Sequence, residues 1–157
     1  MVLDPVPLEP VDRGYLHVLR LQALRRTVFY VAAAALGDYF AHREWGWPLG
    51  VIAGPVLVIG LWSIFIAAHR RWKRLGYAYT GRELHVGHGW FERVHSIVPI
   101  ARVQHIDITR SLFERWFGIA TLVIHTAGSS VVLPGLRYEE AEAMRDDIRP
   151  RITGEPW

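Results

Sequence analysis

No charged side chain occurs between Pro48 and Ala68. As a helix rising roughly 1.5 Å per residue, that run would be about 30 Å long, the thickness of a bilayer's hydrocarbon core. Its flanks suit a spanning segment. Trp45 and Trp47 stand just before it, and His69-Arg70-Arg71-Trp72-Lys73-Arg74 follows at once. Interfacial aromatics with a basic cluster at one end are what membrane anchoring and the positive-inside bias produce. A buried core helix is the competing reading. It is rejected because a core rarely holds so long a charge-free run in a chain of 157 residues.

A hydrophobic share of 51% and a mean hydropathy of +0.14 average two unlike halves. Before residue 75 the chain is lipid-like in two blocks; beyond it charged and apolar residues alternate. The net charge is +3 and the pI about 9.6. Much of that excess lies beside the apolar runs, so it speaks for topology and anionic lipid before nucleic acid. Without cysteine, disulfides and thiolate chemistry are excluded.

Met1 to Asp12 carries Pro5, Pro7 and Pro10 and is expected to be extended and mobile. Arg13 to Arg26 reads as a helix with Asp12 as N-cap. It is either an interfacial helix or the cytoplasmic turns of a first span, with Arg25 and Arg26 at the boundary. Thr27 to Ala41 is a first apolar block, short for a span, and contains Asp38. A carboxylate in lipid is costly. Asp38 is therefore placed in the last turn before the loop, reaching the interface or pairing with Arg43. A signal peptide is rejected because the leader is long and lacks a cleavage site. The connection His42 to Trp47 is short, which predicts a hairpin of two segments. Four arginines precede the first segment (Arg13, Arg20, Arg25, Arg26), and Arg70, Arg71, Lys73 and Arg74 follow the second. Only Arg43 lies between, so both termini are expected in the cytoplasm.

Beyond Leu75 the period shortens. Tyr77–Thr80 and Glu83–Val86 read as strands about a Gly81-Arg82 turn, with Gly87-His88-Gly89 as a further turn. Trp90 to Ile100 is a longer strand in which Pro99 marks an edge, a bulge or the end. Val103 to Arg110 alternates between faces. Ser111 to Phe117 looks like a helical turn closed by Gly118. Ile119–Thr126 and Ser130–Leu133 read as strands, the last ended by Pro134-Gly135. Tyr138 to Arg149 is a helix with acids in its first turn, an Ala141/Met144/Ile148 stripe, and Pro150 as its limit.

The runs Ile100–Ile106, Leu112–Ala120 and Thr126–Gly128, with Tyr77–Thr80 and Val132–Leu136, resemble the bacterial pleckstrin-homology-like domain. Over nearly the whole chain they are similar to the small YdbS-type membrane proteins. That resemblance implies a two-helix membrane hairpin before a seven-stranded, strongly bent antiparallel sheet capped by the C-terminal helix. It also implies a partner, a larger membrane protein carrying several such domains, and no catalytic residues. Inositol phosphate binding does not carry over, because the first strands' loop offers only Arg82, with His85 and His88 after it.

Candidate chemistry is sparse. His85, His88, His95, His105 and His125 lack metal-ligand spacing, and only His105 and Asp107 share a strand face. No nucleophile elbow or phosphate loop appears, and paired carboxylates occur only on the last helix. The sharpest interaction candidate is the hook Leu112-Phe113-Glu114-Arg115-Trp116-Phe117. Its aromatics either enter the membrane interface or grip a partner, or else Leu112, Trp116 and Phe117 plug the core and leave Arg115 outside. The second reading is preferred for Trp116 and Phe117, and Phe113 is left open. Arg102, Arg110 and Arg137 add scattered positive charge, without the stripe that nucleic acid needs.

The reading is thus a membrane-anchored α+β protein. Residues 1–26 form a tail and interfacial helix, 27–70 a two-helix transmembrane hairpin, and 75–152 a cytoplasmic PH-like bent antiparallel β-sheet or barrel capped by one C-terminal helix. The expected location is the bacterial inner membrane. No catalysis, cofactor, metal or nucleic acid is expected. Interaction candidates are Phe113, Arg115, Trp116, Arg102 and Arg110. Boundary residues are Arg25, Arg26, Trp45, Trp47, Arg70, Arg71, Trp72, Lys73 and Arg74. Expected partners are membrane lipids and either a second copy or a related multi-domain PH-like membrane protein. The alternative is a lipid- or small-ligand-sensing module with a pocket at the barrel mouth.

Overall fold

The computed structural model describes residues 8–88 and 94–153, which divide into two compact units. One is Leu16–Arg70; the other joins Met1–Tyr15 to Arg71–Trp157. The class is α+β, with one long helix and two antiparallel sheets.

The helical unit is built on α1 (Arg13–Trp45), a single helix of 33 residues in which the two expected segments, 13–26 and 27–41, run together without a break. A second helical stretch comprises α2 (Ala53–Trp62), a π-helical turn at Ser63–Ala67, and α3 (Ala68–Lys73). At 21 residues, Ala53–Lys73 is long and apolar enough to cross a membrane. It starts later than the apolar run, because Pro48 to Ile52 form the connecting loop. Pro55 falls in its first turn, where a missing N–H removes no helical bond. The two helical stretches approach closely where Gly60 lies against Thr27. A Cβ on Gly60 would come within 2.7 Å of Thr27 Oγ1.

Asp38 departs from expectation. It neither reaches out from a last turn nor pairs with Arg43. It is only 4% exposed and accepts the backbone N–H groups of Gly50 (3.2 Å), Ile52 (3.0 Å) and Ala53 (2.9 Å). Gly50 and Ile52 lie at the end of the loop and Ala53 begins the second helical stretch. N–H groups at a helix start have no intrahelical acceptors, so a carboxylate from the neighbouring helix satisfies them. Sequence spacing could not reveal that pairing, since it spans the loop.

The second unit holds seven strands among the described residues. They are β1 (Glu9–Pro10), β2 (Gly76–Tyr79), β3 (Glu83–His88), β4 (Val94–Pro99), β5 (Val103–Thr109), β6 (Ile119–Thr126) and β7 (Ser130–Arg137). They form two sheets, ordered β1-β2-β3-β4 and β5-β6-β7, where one bent sheet was implied. The tail expected to be mobile supplies β1, with Glu9 opposite Tyr77 and Pro10 opposite Gly76. Pro10 is tolerated there because β1 is an edge strand. β3 continues through Gly87 and His88 instead of turning there, because both pair with β4. Of the expected strand Trp90–Ile100, residues 90–93 lie outside the described part.

β7 does not stop at Pro134. Its pairing with β6 shifts between Ala120 and Leu122, so Pro134 and Gly135 sit in a bulge that absorbs a residue unable to donate to the ladder. The final helix α5 (Tyr138–Thr153) likewise runs past Pro150, and Ile152 beyond it packs against the core. Ala141, Met144 and Ile148 face inward as expected and meet Leu84, Val86 and Val98 of one sheet and Leu122, Ile124 and Leu136 of the other. One helix thus closes the core that both sheets share.

Candidate functional site

Between β5 and β6 the chain makes a short helix, α4 (Leu112–Trp116), whose geometry follows from its first residues. Ser111 and Glu114 form a capping box. Glu114 Nα–H donates to Ser111 Oγ at 3.3 Å, and Ser111 N–H donates to Glu114 Oε2 at 2.6 Å. Thr121 Oγ1 adds a bond to Glu114 Oε1 at 2.6 Å. The carboxylate therefore takes the inward position, only 7% exposed, and rivets α4 to β6. Gly118 closes the turn at φ +65°, where glycine alone avoids a Cβ penalty.

Turning Glu114 inward turns its neighbours out. Leu112 and Trp116, at i and i+4, share the opposite face and are 71% and 75% exposed. The expectation that Leu112, Trp116 and Phe117 plug the core is overturned, and Phe117 is also on the surface. Ile119 and Ala120, both fully buried, fill the inner space instead. Phe113 is half-buried and meets Trp116 edge-on at 5.8 Å.

The candidate arginines separate. Arg102 lies exposed in a 3-10 turn at Ile100–Arg102, away from the hook in sequence. Arg110 is half-buried. Its Nε donates to the Ile119 carbonyl at 3.3 Å, and its guanidinium lies 4.3 Å above the Tyr138 ring. Arg115 is exposed on α4. Arg110, Arg115 and Arg145 line one open cavity of about 550 Å³ with Asp107 and Tyr138. Arg145, on the far helix, was not singled out from sequence; its place beside Arg110 depends on how α5 packs against β5. Tyr138 donates its hydroxyl to Glu142 Oε1 at 2.6 Å, and that bond pushes the phenol above its ordinary pKa.

On the neighbouring sheet surface, His105 Nε2 lies 2.8 Å from Asp107 Oδ1 and His125 Nε2 lies 3.4 Å from Oδ2. Sequence spacing had joined only the first pair. His125 arrives because it sits opposite His105 in the ladder.

Among the boundary residues, Arg25 and Arg26 are exposed on α1. Trp45 ends that helix and Trp47 follows it, their rings 6.4 Å apart and both exposed. Arg70, Arg71, Lys73 and Arg74 are exposed around the end of α3. Trp72 is half-buried, and its indole N–H is shared by the carbonyls of Val11 (3.3 Å) and Asp12 (3.2 Å). This tryptophan therefore also holds the start of the chain against the β unit.

A helix long and apolar enough to cross a membrane, followed by two antiparallel sheets closed by one helix, makes this an α+β protein with one candidate membrane helix among the described residues. The sequence model of the bacterial PH domain matches residues 21–152, and the chain belongs to that family. It is 30% identical over 145 residues to the UPF0699 transmembrane protein YdbS of Bacillus subtilis (strain 168), covering 90% of this chain and 91% of that protein. No solved structure matches the chain.

Proposed function

We propose that this membrane protein is a non-enzymatic assembly subunit, whose PH-like module binds a protein partner at the cytoplasmic face of the inner membrane. That partner is a second copy or a related multi-domain PH-like membrane protein. The observation that carries the reading is the pair Leu112 and Trp116, a leucine and a tryptophan held outward on a helix riveted by buried Glu114. Exposed tryptophan on a rigid support is the residue type that dominates protein interfaces. In mild detergent the full chain is expected to run larger than a monomer or to carry its partner with it. Trp116→Ala should weaken that association about 30-fold or more. A monodisperse monomer that captures nothing after crosslinking in cells would sink the proposal.

In this reading both helical stretches of the Leu16–Arg70 unit cross the bilayer as a hairpin. Supporting it, Phe29, Leu36 and Phe40 of α1 and Val58, Ile59 and Phe65 of the second stretch are all exposed, an apolar surface unsuited to water. The basic residues at both ends put the termini in the cytoplasm. The chain lacks cysteine, so single cysteines report topology without background. Glu44→Cys should react with an impermeant maleimide in intact spheroplasts, and Ala127→Cys only after lysis. The reverse pattern means that the orientation is inverted.

A further inference from the structure

We propose that the cavity between β5, α4 and the first half of α5 binds a phosphate monoester, with Arg110, Arg115 and Arg145 as its ligands. Three guanidinium groups and one carboxylate, Asp107, line it, so the lining carries a net charge of +2. A phosphate monoester near neutral pH carries ~1.5 to 2 negative charges, so the two nearly cancel. The planar fork of arginine pairs with two phosphate oxygens at once, which a lysine ammonium does not.

The three arginines differ in readiness. Arg110 is already oriented, its Nε on the Ile119 carbonyl and its plane over Tyr138, which leaves its terminal nitrogens to donate. Arg115 makes no side-chain hydrogen bond or ion pair among the described residues. It stands on a helix fixed by the capping box and by Thr121, so its backbone need not be ordered on binding. Arg145 is partly committed, 2.9 Å from Asp146 and 4.0 Å from Glu142. It can share itself with a phosphate because both contacts are at the surface, where ion pairs are weak. The cavity's volume of about 550 Å³ admits an esterified phosphate together with part of its alcohol. That alcohol is either free or belongs to a lipid. Only Arg74 and Leu75 separate α3 from β2, so the module is joined by a short link to the candidate membrane helix, and a lipid headgroup is one source of the ester to be tested. This site is independent of the Leu112/Trp116 surface and stands whether or not that surface binds protein.

Calorimetry on the full chain in an uncharged detergent, at constant ionic strength, tests the proposal. One arm titrates sn-glycerol 3-phosphate; the other titrates short-chain phosphatidic acid, with short-chain phosphatidylglycerol at matched charge as control. Saturable binding in the first arm alone assigns a soluble ester, and in the second alone a lipid headgroup. Either result supports the site if Arg115→Gln weakens binding about tenfold, the loss of one charge-assisted pair, and Arg115→Lys restores part of it. Arg145→Gln should act in the same direction. No saturable heat in either arm, equal binding of phosphatidylglycerol, or indifference to Arg115→Gln overturns it.

Discussion

Gly135→Ala is expected to destabilise the β unit by about 3 kcal/mol, combining an unfavourable backbone conformation with overpacking. Gly135 has φ +80°, and an added Cβ would stand 2.8 Å from Tyr15 Cβ and 2.9 Å from its Cγ. Neither atom is the free end of a flexible side chain. Tyr15 is itself buried at the start of α1, and Gly135 accepts a hydrogen bond from Asp12 N–H at 2.9 Å. The bulge in β7 is thus the seat on which the returning N-terminal segment rests. Denaturant unfolding of the full chain in detergent, followed by near-UV circular dichroism, measures the effect. Gly128→Ala is the control: it has open space around it and no positive φ, and should change stability by less than about 0.5 kcal/mol. Equal stability of the two variants would mean that the segment is not seated there.

A chain beginning at Arg13 should lose more. It forfeits the β1–β2 pairing and the burial of Val11, which is 2% exposed. It also loses the main-chain acceptors of the Trp72 indole and the bond from Asp12 N–H to Gly135. Burying one valine is worth roughly 1.5–3 kcal/mol, and each of these hydrogen bonds about 1 kcal/mol. Together they make about 4 kcal/mol, a large part of the ~5–15 kcal/mol that holds a domain folded. Limited proteolysis should cut the β unit of the truncated protein quickly while sparing that of the full chain. Val11→Ser should reproduce part of the loss without shortening anything, and Trp72→Phe a smaller part. Equal protease resistance of truncated and full chains would show that β1 is dispensable. The same contacts argue against studying residues 76–157 alone, since that piece lacks one strand of its first sheet.

Local chemistry made much of the architecture legible. Alternation in Val103–Arg110, its break at Ser111–Phe117 ahead of Gly118, and the Ala141/Met144/Ile148 stripe each act over a few residues, and each produced the expected element. Where the reading failed, a partner distant in the chain had intervened. Pro134 ended β7 on paper because a proline cannot donate to a ladder; a bulge opposite Thr121 removed the need. Hydrophobicity alone favours the core for Trp116 and Phe117 of the hook. Thr121, on the next strand, instead gives Glu114 a buried partner, and Leu112 and Trp116 are turned outward.

The sequence by itself determined that a charge-free stretch of spanning length precedes an alternating β module with one closing helix, because periodicity and charge are properties of neighbouring residues. Only the tertiary structure decided that the N-terminal tail returns as β1, that Asp38 caps the second helical stretch, and that Arg110, Arg115 and Arg145 line one cavity. Those outcomes depend on which backbone groups and charges are left unsatisfied when distant elements pack, and no local pattern encodes that.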